Sequence, residues 1–498
     1  MKKSALFLLS ALGASALFAG TSMEVVGGIS GKRVSIPSGD YDVILKPNAD
    51  TPSQAYFATN SSGKLVTINS LTTEGTPDLW DIAYGLTIDV KNSSSDVIEN
   101  VLVNNGKMQW RINGVTFKNS LGNSATAKIN LGEEFRLVHN NGAQSTWLAF
   151  SMNANVEGTY LNSVGYARTG LKADNGSTIN WNVARSRFAQ LNSGVYVSGN
   201  STFNNTGAME FGANTRLDVE SGSTFNTTVA STFASGSQLN VAGNYNYTGT
   251  SSVTFGGDVN VSGSFVAKNL DVKLGTNGRI TFNGATTFAA GSSGDFIGAM
   301  VIGKTFAVES GSNGITLRDL DTTYRGRIML NYGAELTLGK ENAFKRITSE
   351  GKESNVNLLI MSKNTKIILN ASNKFDQLFF SGTNNSVDVV LDDSSTLLFQ
   401  GMSSTSETGN YLNISNFEDN RIFFIDKGNA EKCLTITATT KDGKTLTMDE
   451  LQLVAGQYAE GINGYWLNAV AVPEPSTYAA ILGAIAIAFA LKRRCSRK

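Results

Sequence analysis

No residue between Asp78 and Val472 is proline. Proline locks φ and removes a backbone donor, so within sheets it is confined to edges, first residues and bulges. A proline-free run of this length can therefore feed a continuous ladder in which every strand has a bonded neighbour on each side. Discrete domains joined by loops would usually carry proline at their joints. The six prolines fall instead at the two ends, as Pro37, Pro47, Pro52 and Pro77, then Pro473 and Pro475.

Composition fits the same picture. Gly is 51 of 498 residues and charged residues are only 16%, against about 7% and about 25% in ordinary globular chains. A polar, weakly charged chain can stay unfolded, but hydrophobic residues at 41%, with Phe 26 and Tyr 14, supply enough apolar surface to offset chain entropy. The length suits either several domains or one elongated repeat structure that no single core limits.

From about Gly176 the chain falls into short units, each a small polar turn followed by apolar residues at alternate positions. Gly176-Ser-Thr-Ile-Asn-Trp-Asn-Val183, Gly222-Ser-Thr-Phe-Asn226, Gly236-Ser-Gln-Leu-Asn-Val241, Ser251-Ser-Val-Thr-Phe255, Gly278-Arg-Ile-Thr-Phe282, Gly333-Ala-Glu-Leu-Thr-Leu338 and Ser394-Ser-Thr-Leu-Leu-Phe399 are examples. Period two means strands with one buried face. Several successive units recur at roughly 14-residue spacing. Between the two ends no extended stretch has a helical period. A sandwich of this length would need several linked domains, whereas stacked rungs bury their apolar faces on one another and grow without limit. The expected fold is all-β, a right-handed parallel β-helix, or solenoid, with terminal caps. Residues 23–155 are expected to form an N-terminal β region or cap, 156–430 the repeats, and 431–471 a C-terminal β cap. Within that cap, Leu434 to Thr447 reads as a hairpin around Asp442-Gly443, and Gly464 to Val470 as a last strand. The texture of the rungs resembles that of autotransporter passengers.

The two ends carry targeting signals. Lys2 and Lys3 precede an apolar run from Ala5 to Phe18 and then the small residues Ala19, Gly20 and Ser22, which together read as a secretory signal peptide over 1–22. No cysteine follows the run, which excludes lipoprotein processing. At the other end Pro473-Glu474-Pro475 precedes an uncharged run to Leu491 and then Lys492-Arg493-Arg494. The run, about fourteen residues, is about 21 Å as a helix, short for a hydrocarbon core of about 30 Å. Tyr478 at one interface and snorkelling Lys492 and Arg493 at the other make a short transmembrane helix over 477–491, with the basic end left in the cytoplasm.

The ordered set of Pro473, Glu474 and Pro475, a short apolar helix and a terminal Arg cluster resembles the PEP-CTERM sorting signal of Gram-negative bacteria. The resemblance covers residues 472–498. It implies that the triplet is read by an exosortase, a membrane-embedded cysteine transpeptidase that removes the tail and passes the body to the surface. The partners so implied are that enzyme, the secretion translocon and the membrane. Two prolines would hold the substrate extended just outside the bilayer, with one carboxylate as recognition charge. A true autotransporter would end in a membrane barrel and not in one apolar helix.

Chemistry is sparse in the body. Seven of the 41 basic residues lie in the two ends, namely Lys2, Lys3, Lys492, Arg493, Arg494, Arg497 and Lys498, so the body has more acidic than basic groups. That excludes a basic stripe for nucleic acid. The single histidine, His139, leaves no partner for a histidine metal site or a Ser-His-Asp triad, and Cys433 and Cys495 cannot build a disulfide framework. No cofactor is expected. The acidic and basic groups that a polysaccharide-cleaving enzyme would need are Asp392 with Asp393, Asp319 with Asp321, and Arg325 with Arg327; the first pair reads as turn chemistry and the others as a solvated loop. Asn175, Asn200, Asn226, Asn246, Asn260, Asn370 and Asn413 stand in Asn-x-Ser/Thr triplets that allow glycosylation. The expectation is a non-catalytic surface or matrix protein contributing to adhesion, coating or exopolysaccharide association. The alternative is a polysaccharide-active enzyme or carbohydrate-binding protein on the same scaffold.

Overall fold

A computed structural model describes residues 21–29, 32–59, 66–91, 96–122, 124–139, 145–165, 169–189, 191–249, 253–255, 258–261, 264–267, 279–319, 325–404, 409–426, 434–470 and 484–485. The chain is all-β, a parallel β-solenoid of about 14 turns with almost no helix. Most turns pass through three strands, such as Thr224–Thr227, Thr232–Phe233 and Gln238–Val241. Each strand pairs in parallel with its counterpart on the rungs before and after, so the coil has three sheet faces, called first, second and third in that order. Along the first face successive rungs are 25, 24, 22 and 20 residues apart. The shorter interval visible in the sequence spans two sides of the coil. The motifs at Gly222 and Gly236 begin the first and third faces of the same turn.

Alternation decides which residues point inward. Ile179, Trp181, Val183, Phe225, Leu239, Val241, Phe282, Leu336, Leu338 and Phe399 are all buried, while the residues between them face outward. Parallel in-register stacking then sets like on like along the axis. Phe203 stacks on Phe225 at 5.5 Å between centroids, and Phe225 on Tyr245 at 5.6 Å, both within 8° of parallel. A second column runs through Phe188, Phe211, Phe233, Phe255 and Phe282. Each such side chain gives about 1.5–3 kcal/mol by leaving water, and each ring pair about 0.5–1.5 kcal/mol more.

Two of the three corners between faces repeat one solution. Glu220 to Ser223 forms a turn closed by the Ser223 N–H on the Glu220 carbonyl at 3.0 Å, with Gly222 at φ +78°. The same turn recurs with Asn214, Gly236, Gly291 or Gly311 in the left-handed position, where only Gly and Asn settle readily. The next residue, Ser223, Thr215, Ser237, Ser292 or Ser312, is buried. Small hydroxyl residues fit this crowded inner corner and satisfy the backbone there: the Ser201 hydroxyl accepts from the Ser177 N–H at 3.1 Å, and Ser223 from the Ser201 N–H at 3.3 Å.

The stack begins with Thr21–Val26, paired in parallel with Tyr41–Lys46, and residues up to Ser151 continue in parallel rungs with Trp80 and Trp110 fully buried. That first strand starts inside the 1–22 span read as a leader. At the other end the pairing turns antiparallel. Leu434–Thr440 folds back on Thr445–Leu446 around Asp442-Gly443, and the hairpin Leu451–Ala459 with Ile462–Ala469 lays Tyr465 and Trp466 against Phe424 and Phe423 of the last rung. Antiparallel strands at that edge end the parallel template.

Candidate functional site

The sorting triplet Pro473, Glu474 and Pro475, the basic cluster Lys492, Arg493 and Arg494, and Cys433 and Asp321 lie outside the described residues, as does residues 1–20 of the leader. Among the described residues no helix is long and apolar enough to cross a membrane, and no group of three or more His, Cys, Asp or Glu is placed to hold a metal ion. His139 ends the strand Glu134–His139.

Of the carboxylates singled out as possible acids, Asp392 and Asp319 sit in clamps, whereas the Asp393 carboxylate is exposed and 2.8 Å from Lys441 Nζ. Asp392 accepts from the Ser394 and Ser395 N–H groups at 2.9 and 2.5 Å, and Arg421 donates to the carbonyls of Asp392, Asp393 and Ser395 at 2.7, 2.9 and 2.6 Å. Burial would raise the Asp392 pKa, but these donors outweigh it and hold it below the usual carboxylate range. Asp319 is not solvated. It is buried, takes both Nε and Nη2 of Arg346 at 2.7 Å, and accepts the Gly326 N–H at 2.7 Å. Its pKa too is lowered against the pull of burial. Asp376 approaches Arg346 Nη1 at 3.9 Å, and burial pushes its carboxyl upward. One arginine thus serves two acids. Near the other end Asp81 is held by Arg33 and Arg111, each at 3.0 Å. Each clamp ties one rung to another through a bidentate or multiply bonded arginine, a structural use of charge.

The outward faces offer more. Down the first face, Asn155, Asn180, Asn204, Asn226 and Asn246 form an amide ladder in which each Nδ2 donates to the Oδ1 of the asparagine one rung earlier, at 2.8 Å throughout. Of the residues in Asn-x-Ser/Thr triplets, Asn175, Asn200 and Asn370 are exposed at corners, whereas the amides of Asn226, Asn246 and Asn413 are hydrogen-bonded to side chains of neighbouring rungs.

On the third face an open groove of about 660 Å³ is lined by Tyr196, Arg216, Asp218, Glu220, Asn240 and Thr287 among others. Its construction follows from register. Trp147, Gly170, Gly194 and Arg216 occupy one line across successive rungs, and the two glycines place no side chain between the indole and the guanidinium. Tyr196 fills that space from the adjoining line, with Trp147 edge-on at 5.0 Å and the Arg216 guanidinium 4.8 Å above its ring. Arg216 also donates through Nε to the Tyr196 hydroxyl and lies 3.1 Å from Asp218, which accepts from Asn240 at 2.6 Å. Burial works against the Arg216 charge, but the Tyr196 hydroxyl and Asp218 outweigh it, so its pKa is raised.

No family model, curated protein or solved structure matches this chain. A row of aromatic, guanidinium, carboxylate and amide groups on one flank of the solenoid can stack against a ligand and hydrogen-bond to it. Tyr196, Arg216, Asp218 and Asn240 escaped the sequence reading because they are spread over three successive rungs, with only Arg216 and Asp218 on the same strand. The signal that could have found them is recurrence of outward polar and aromatic residues at 20- and 22-residue intervals.

Proposed function

We propose that this chain is an exported, exosortase-sorted structural or adhesion protein of a Gram-negative cell surface or extracellular matrix, with no catalysis of its own. On this reading the translocon exports it, the 477–491 helix and Lys492, Arg493 and Arg494 hold it in the inner membrane, and the exosortase cuts at Pro473-Glu474-Pro475. The body is then released as a right-handed solenoid rod. The observation that carries the proposal is the order of the tail, triplet then apolar run then basic end, after a body whose parallel stack closes in antiparallel hairpins at Leu434–Thr440 and Leu451–Ala459. A closed end keeps neighbouring rods from adding strand to strand, as a protein displayed at high density requires. The arginine clamps on Asp319 and Asp392 favour a scaffold over a polysaccharide-cleaving enzyme, and the groove at Tyr196, Arg216 and Asp218 favours association with glycan. Deleting residues 473–475 tests the sorting step. The deletion variant is expected to stay cell-associated in the inner membrane while the parent reaches the surface, as scored by protease added to whole cells; equal surface exposure of both would refute it.

A further inference from the structure

We propose that the third-face groove binds a neutral polysaccharide chain laid along the rod axis, with Tyr196, Arg216, Asp218 and Asn240 making the contacts. This deepens the matrix-protein reading and rests on it for its biological setting. The chemistry, however, is argued from the groove itself.

Sugar hydroxyls donate and accept at once, and neighbouring hydroxyls on a pyranose ring are best met by groups that do both in a fixed plane. Arg216 supplies donors, Asp218 acceptors, and the Asn240 amide one of each kind. Arg216, Asp218 and Asn240 already hold one another at 2.6–3.1 Å, and Arg216 donates to the Tyr196 hydroxyl, so a ligand does not have to order them. Preorganisation of this kind removes much of the entropy cost of binding. The Tyr196 ring, held between Trp147 and the Arg216 guanidinium, lines the groove with an aromatic edge that the apolar C–H surface of a pyranose can touch.

Charge selects among glycans. The guanidinium of Arg216 is matched by Asp218, and exposed Glu220 lies on the same groove. A uronate or sulfated chain would meet these carboxylates, and among the described lining residues the one cation, Arg216, is already paired with Asp218, which is unfavourable at such separations. Geometry selects for a chain. The groove residues Tyr196, Asp218 and Asn240 are in register on adjacent parallel strands, spaced about 4.8 Å apart, close to the rise per residue of an extended pyranose polymer. A run of sugars can therefore meet one rung after another without changing its own conformation. The amide ladder of the first face has the same spacing, but the described residues lining the groove beside Asn155 and Asn180 include no aromatic side chain.

Affinity electrophoresis of the full-length chain tests this, using gels cast with hydroxyethyl cellulose, glucomannan or alginate. Retardation is expected in at least one of the two neutral gels and not in alginate. Arg216→Ala and Asn240→Ala should each weaken it about tenfold, the effect of losing one or two well-placed hydrogen bonds, with unchanged far-UV circular dichroism. Asn204→Ala, on the amide ladder of the first face, should leave it unchanged. Asn240 is only partly buried and faces outward, so its variant keeps the test valid even if Arg216→Ala disturbs the local fold. No retardation in either neutral gel, retardation in alginate alone, or equal retardation of parent and both groove variants would overturn the proposal. Surface delivery is scored separately by location: a surface protein that no glycan retards removes only the binding claim, and a periplasmic protein that glucan retards removes only the sorting claim.

Discussion

Phe225→Ala probes the stacked interior where its geometry is simplest. Phe225 is fully buried between Phe203 at 5.5 Å and Tyr245 at 5.6 Å, all three rings nearly coplanar in orientation. Truncation removes two ring contacts and leaves a cavity that a continuous ladder cannot close, because moving one rung inward would strain the parallel pairing on both sides. The expected loss is about 3–5 kcal/mol. In a solenoid each turn touches only its neighbours, so this loss should appear locally before it appears globally. Amide hydrogen exchange read by mass spectrometry is the fitting assay. Protection in the strands Thr202–Asn205, Thr224–Thr227 and Asn244–Tyr247 should fall by about two to three and a half orders of magnitude, at one order per about 1.4 kcal/mol. The strand Asn410–Phe417 should keep its parent rate. Equal loss of protection along the whole chain, or none at 224–227, would refute the stacked-rung energetics.

Tyr245→Phe should stabilise the same region by about 1 kcal/mol, because among the described residues its buried hydroxyl has no hydrogen-bond partner, and burial pushes its pKa upward; a higher urea midpoint checks it. Arg346→Met strands the buried Asp319 carboxylate and should cost about 3–5 kcal/mol, read as early loss of protection in Gly314–Arg318 and Phe344–Ile347. Stability should also fall with acid. Asp319, Asp392 and Asp89 have lowered pKa values, so their contribution is full above the unfolded-state value near 3.8 and is lost as pH drops through their folded values, whereas Asp376, shifted upward by burial, contributes in the opposite sense. Thermal melts should therefore hold steady between about pH 5 and 7 and decline below about pH 4; a Tm that does not fall there would contradict the clamps.

The inward half of this fold was legible and the outward half was not, for one physical reason. Alternation is local, so Ile179, Phe225, Leu239, Phe282 and Leu336 announce a buried face within five residues of sequence. The length of a turn is not local. Two of its three corners share one chemistry, a left-handed Gly or Asn followed by a small buried residue, so the spacing between those corners stands in for the rung period unless the side of the coil is known. The groove is less visible still, since Tyr196, Arg216 or Asp218, and Asn240 become neighbours only when rungs stack at the correct register. Asp319 shows the same effect. With acidic and basic residues close by in sequence it resembles a solvated loop, and only the partner 27 residues later, Arg346 on the next rung, buries it.

The central claim is that a transpeptidase parts the rod from its tail outside the inner membrane. Intact mass spectrometry of the protein recovered from the cell surface or medium tests it most directly. The account predicts a chain that has lost its leader and ends near Pro473-Glu474-Pro475, lacking Lys492, Arg493 and Arg494. A surface species that still carries residues through Lys498, or a processed species found only in the periplasm, would contradict it.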